Sequence, residues 1–180
     1  MARTKHPVCA CCGTQRHGPL TVKIRDRHYC ADKSCAYDAA RHAHLPVDKC
    51  INLILETHVH NARQAGWKIT FKDQNYRFEA KDELSLNRRV TVTYSENQLD
   101  GSLWAIVEAW HKKDGNEYPL NSIRADHLKN EILGPDSSAF ITLDPKTEAS
   151  GQRRRTCIFH CLDKPAMALC VPARYGAAHG

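Results

Sequence analysis

The sequence predicts an α+β protein: a cysteine-bound finger, a linking helix, a small antiparallel β-barrel and a Cys-containing C-terminal segment. Three observations predict it. Two short-spaced cysteine pairs lie within the first 35 residues. An apolar stripe of helical period runs over residues 46–64. From residue 67 the period changes to two, with tight turns between short runs. The divisions fall at 1–45, 46–65, 66–145 and 146–180. Across its 180 residues, 42% are hydrophobic and 26% charged, which suits a folded chain and excludes wholesale disorder. No apolar run approaches the roughly 18 residues of a membrane helix. Residues 1–7 are charged and polar, without a signal-peptide core, so a cytoplasmic location is expected.

The finger comes first in the chain. In such a setting cysteines stay reduced, so metal ligation competes with burial as small apolar thiols. Cys9 and Cys12 are spaced C-x2-C, Cys30 and Cys35 are spaced C-x4-C, and 17 residues separate the pairs. Zinc asks for four soft ligands at tetrahedral corners, and each short pair supplies two thiolates without a long loop. Gly13 lets the first pair turn back under the metal. Cys11 is a competitor for the place of Cys9 or Cys12, and His17 or His28 could displace one thiolate. Between the pairs, residues 20–26 alternate as a strand and turn into a second short strand at Tyr29. Residues 36–44 then read as an alanine-rich helix.

Knuckle, hairpin and a helix carrying the last ligand make a treble-clef arrangement. The phrase Tyr29-Cys30-Ala31-Asp32-Lys33-Ser34-Cys35 resembles the TRASH/MYM-like branch of treble-clef zinc fingers, with one residue more than usual between the cysteines. The resemblance covers residues 9–40. It implies a fold and a Zn2+ ion, and a partner that is either a protein or a nucleic acid.

In residues 46–64, Cys50, Ile51, Ile54, Leu55, His58 and Val59 share one helix face. Pro46 suits the first turn, Asp48 complements the helix dipole, and Gly66 stops the helix. Cys50 and His58 read as core residues. Five strands follow, at 67–71, 75–78, 89–94, 103–110 and 118–120, and Asp114-Gly115 is a hairpin signal. A barrel would hide the edges of such a sheet. Ile69, Phe71, Tyr76-Arg77, Leu84, Val90, Val92, Tyr94, Leu99, residues 103–107 and Asp114-Gly115 resemble the small β-barrel that follows the catalytic core of Mu-type transposases. That resemblance covers residues 66–118. It implies a cationic surface for DNA, with Arg77, Arg88 and Arg89 as phosphate contacts, but the sequence shows no pattern of that family's three-carboxylate core.

Residues 122–133 read as a short helix or turn and 139–143 as a strand. Arg153, Arg154 and Arg155 form a cationic run that is a further candidate for phosphate binding. Cys157, His160, Cys161 and Cys170 form a candidate second zinc set, with His42/His44 and His58/His60 as donors from elsewhere. The competing reading is a buried strand whose cysteines pack.

Net charge is +6, which favours an acidic partner. No P-loop, dinucleotide glycine pattern or nucleophile elbow is present. The expected function is therefore a non-catalytic zinc protein that binds nucleic acid or a nucleic-acid-processing machine, as a phage or mobile-element accessory factor would. Two alternatives remain open. One is a protein-binding regulator, for example of RNA polymerase, that docks through the finger. The other is a metal-dependent His-Cys nuclease built on Asp126, His127, Cys157 and Cys161.

Overall fold

The computed structural model describes residues 6–73, 76–82, 87–135, 137–143 and 155–163. The described chain forms a small hairpin, three α-helices and a seven-stranded antiparallel sheet. The hairpin joins β1 (Thr21–Ile24) to β2 (Arg27–Cys30), and α1 (Cys35–His42) follows it. Next comes α2 (Val47–Gln64), which starts after Pro46 and ends before Gly66 at φ +91°. The sheet strands are β3 (Lys68–Lys72), β4 (Arg77–Asp82), β5 (Arg88–Glu96), β6 (Leu103–Lys113), β7 (Asn116–Pro119), β8 (Phe140–Leu143) and β9 (Thr156–Cys161). Between β7 and β8 lies α3 (Ser122–Ile132), whose first turn is capped by the Asn121 side chain accepting from the Arg124 N–H at 2.9 Å.

The sheet is open, and this corrects the expected barrel. Its order is β3-β4-β5-β6-β9-β8, with β7 also paired to β6. The two outer strands, β3 and β8, do not meet. The physical reason is in β6, whose 11 residues serve two neighbours on one edge. Residues 104–109 pair with β9, while residues 110–113 fold back on β7. The reversal uses Asp114 at φ +51° and Gly115 at φ +79°, the left-handed pair that a tight hairpin requires. Closure is also unnecessary for burial, because the helices cover one face. Ile51, Ile54, Leu55 and Val59 of α2 and Leu128 and Ile132 of α3 share one buried core with Phe78, Val90, Val92, Val107 and Ile158 of the sheet.

The same core extends to Ile24, Ala36, Tyr37 and Ala40, so α1 packs against α2. A polar junction reinforces this. Asp163, just past β9, accepts from Tyr37 Oη at 2.7 Å, from Arg41 Nε and a guanidinium nitrogen at 2.9 and 2.7 Å, and from the Leu103 N–H at 3.0 Å. Burial works to raise the Asp163 pKa, but the bonds from Arg41, Tyr37 and Leu103 outweigh it and hold the carboxyl below its usual range. No helix among the described residues is long and apolar enough to cross a membrane.

Two histidines lie where α2 meets the sheet, His58 on the helix and His160 on β9. His58 Nδ1 is 2.8 Å from Tyr94 Oη, and His160 sits beside Ala105 on the helix-covered face of β9. Burial first, then the neighbouring His160, presses His58 down to about 3. Burial first, then Lys129, presses His160 down to about 4. Folded values below the unfolded one, near 6.5, mean that the native state binds fewer protons. Their stabilisation is therefore complete above about pH 6.5 and is lost as pH falls toward the folded values. At about pH 5 His58 alone should remove roughly 2 kcal/mol. Urea unfolding near neutrality and near pH 5 measures this loss. A His58→Gln variant, which keeps a partner for Tyr94 without an ionisable ring, should show a flatter pH dependence. An unchanged dependence would refute the assignment.

Candidate metal centre

Local backbone geometry builds the centre from both ends of the finger. The Gly13 N–H donates to the Cys9 carbonyl at 2.9 Å and the Cys9 N–H to the Thr14 carbonyl at 2.9 Å, which closes the knuckle. Gly13 is at φ +69°, so the turn suits a residue without Cβ. The Ala10 N–H donates to the His28 carbonyl at 2.8 Å and lays the knuckle along β2. Cys30 ends β2 and Cys35 opens α1. As a result the Sγ atoms of Cys9, Cys12, Cys30 and Cys35 all lie within 4.8 Å of one another. Cys9, Cys30 and Cys35 are buried and Cys12 faces solvent.

The spacing suits a tetrahedral ion. A metal–sulfur bond of about 2.3 Å implies a sulfur–sulfur edge of roughly 3.8 Å. Cys12 Sγ and Cys30 Sγ are 3.7 Å apart, far beyond a disulfide bond and close to that edge. All eight described cysteines are free thiols.

The electrostatics also fit a cation. The Thr14 hydroxyl, 3.2 Å from Cys12 Sγ, and the Thr14 backbone bring Cys12 down to about 6. For Cys9, burial acts upward, but hydrogen bonds from the backbone at Cys12, Cys30 and Cys11 prevail and lower its pKa. Burial drives Cys30 up to about 11 despite a hydrogen bond from Arg16. Cys35 is driven upward by burial first, then by the negative charge of Cys11 and Cys9. Without a cation the four thiols cannot all ionise, and a divalent ion removes that conflict. Arg16 adds a positive charge nearby and pairs with Asp32 at 3.0 Å.

Cys11 is exposed and outside the four-sulfur group, although it reaches Cys35 from the solvent side. His17 and His28 are not in the group either. Thr57 was not singled out by the sequence, yet it anchors the C-x4-C loop. Its hydroxyl lies 3.0 Å from the Ala31 carbonyl and 3.2 Å from the Lys33 carbonyl. A buried threonine beside the apolar stripe of α2 is the signal that could have found it. Thr14 and Arg16 were missed for a simpler reason, since neither is a ligand type.

The candidate second set does not assemble among the described residues. β9 holds Cys157 and Cys161 four residues apart, about 13 Å along a strand, and turns His160 to the opposite face. Cys170 lies outside the described residues. Cys50 is buried in α2 and donates to the Leu45 carbonyl at 3.6 Å, as a core thiol. His127 is exposed on α3, whereas Cys157 is buried in β9, so the nuclease set does not converge either.

The arginine candidates divide. Arg88 faces the helices, only 8% exposed. It bonds Asp82 at 2.7 and 2.9 Å, approaches Glu131 at 3.3 Å and covers the Trp67 ring at 4.8 Å. It is a core ion pair and not a phosphate contact. Arg77 and Arg89 point from the other face, and Arg155 reaches Glu108 there at 3.1 Å. Arg153 and Arg154 lie outside the described residues.

No protein-family model, curated protein or solved structure matches this chain. The geometry predicts unequal roles for neighbouring thiols. Cys11→Ser should retain the metal content of the unaltered protein in native mass spectrometry. Cys30→Ser should lose the ion and melt at a lower temperature. Equal behaviour of the two variants would contradict the ligand set.

Proposed function

We propose that the protein is a non-catalytic zinc protein that binds nucleic acid. The observation that carries this reading is the four-sulfur cluster. A tetrahedral set of four thiolates selects zinc or iron–sulfur chemistry, and a single closed site favours zinc. With all four positions filled by protein, the ion has no open place for substrate, so its role is structural. The order knuckle, hairpin, helix supports a treble-clef finger around it. The basic balance of the chain supports an anionic partner, and Arg77 and Arg89 stand on a sheet face that no described helix covers.

Zinc binding to such a site is also folding energy. A strong chelator should therefore unfold the finger and free the loop that Thr57 holds, read as lost helical circular dichroism. Native mass spectrometry should find a single zinc ion in the untreated protein. In a mobility-shift titration, affinity for nucleic acid should fall steeply as salt rises, because phosphate contacts release counterions. A metal-free protein of unchanged stability would overturn the metal assignment. Failure to bind any nucleic acid at low salt would overturn the partner assignment and favour docking to a protein.

A further inference from the structure

We propose that the sheet face that no described helix covers is a stacking platform for single-stranded nucleic acid. This deepens the nucleic-acid reading above and rests on it. Strand alternation and register decide which side chains share the face. Arg89 pairs with Trp110, Arg77 with Thr93, Thr93 with Ile106, and Phe140 with Phe159. All of these project away from α2 and α3, whose buried partners are Phe78, Val90, Val92 and Val107.

Three aromatic stations result. The Arg77 guanidinium lies 5.6 Å from the centre of the Phe71 ring, and that of Arg89 lies 4.3 Å from the centre of the Trp110 ring. Trp104 meets Phe140 edge-on at 6.5 Å. Phe71 is 48% exposed and Phe140 37%. Trp110 and Trp104 are six residues apart on β6, about 20 Å, which gives room for several extended nucleotides.

Charge selects the occupant. Among the described residues, six cations stand on this face (Lys68, Arg77, Lys81, Arg89, Lys112 and Arg155) with the carboxylates of Glu79, Glu108 and Glu117. Arg77 and Arg89 are paired with Glu79 and Glu117, so each guanidinium is held in place beside its ring. A planar cation fixed beside a ring presents a flat surface on which a base can stack. A duplex hides its base faces, and a broad sheet does not enter a groove that admits a helix or a two-stranded ribbon. Single strands offer both the phosphates and the free base faces.

Fluorescence anisotropy of the whole zinc-loaded protein tests this. The probes are labelled oligo(dT) and oligo(U) of about 12 nucleotides, within a usual single-strand footprint, and a duplex of equal length. Both single strands should bind more tightly than the duplex. Trp110→Ala and Phe71→Ser should each weaken single-strand binding about tenfold. Ile123→Ser, at a 68% exposed position on α3, should leave it unchanged. If Trp110→Ala fails to fold, Phe71→Ser decides, since its ring is solvent-facing on an outer strand. Undiminished single-strand binding in the folded face variants, or preference for the duplex, overturns the platform. Duplex binding that ignores the face variants leaves the nucleic-acid reading standing, whereas binding to none of the probes removes both.

Discussion

Four thiols gathered around one point can ionise together only with a cation among them. That requirement governs much of what surrounds the four cysteines. The knuckle directs backbone N–H groups at Cys9, the Thr14 hydroxyl stabilises Cys12, and Arg16 places a guanidinium beside Cys30. The loop from Cys30 to Cys35 is tied by Thr57 to α2, and α2 in turn covers the sheet. The four-cysteine cluster is thus connected, through one threonine and one helix, to the packing of the seven-stranded sheet.

The sheet solves the edge and burial problems separately. Helices α2 and α3 bury one face, which makes barrel closure unnecessary. The opposite face keeps rings, cations and carboxylates in register. Adjacent arginines in β5 illustrate the division. Arg88 turns inward to Asp82 and Glu131, while Arg89 turns outward over Trp110. A one-residue step along a strand separates a core ion pair from a surface stack.

Local periodicity made much of this legible. The stripe of Ile51, Ile54, Leu55 and Val59 marked α2, alternation marked β5 and β6, and Asp114-Gly115 marked the β6–β7 turn. Cysteine spacing located the four sulfurs, because two short pairs need little more than a hairpin to meet. Periodicity does not report what a face packs against. The stripe of α2 is the same whether the helix links two units or roofs a sheet, so the open sheet was not visible. Nor did the alternation of Cys157, Phe159 and Cys161 reveal that β9 would lie between β6 and β8. Partner choice between distant strands is set by packing that a local window does not contain. Arg88 and Arg89 read alike because the alternating run in the sequence starts at residue 89; β5 begins one residue earlier, which puts Arg88 in step with Val90 and Val92.

The position of β9 has a consequence for biosynthesis. β6 cannot complete its second edge until residues 156–161 have left the ribosome, long after β6 itself has emerged. Until then the growing chain carries an unpaired strand edge at the centre of its future sheet, the kind of surface that recruits foreign strands. Such distant pairing is slow, because the loop must close before the contacts reward it. The hairpin and α1, by contrast, are built from near neighbours and can form early. Maturation would proceed from the amino-terminal lobe outward, with the sheet completed last.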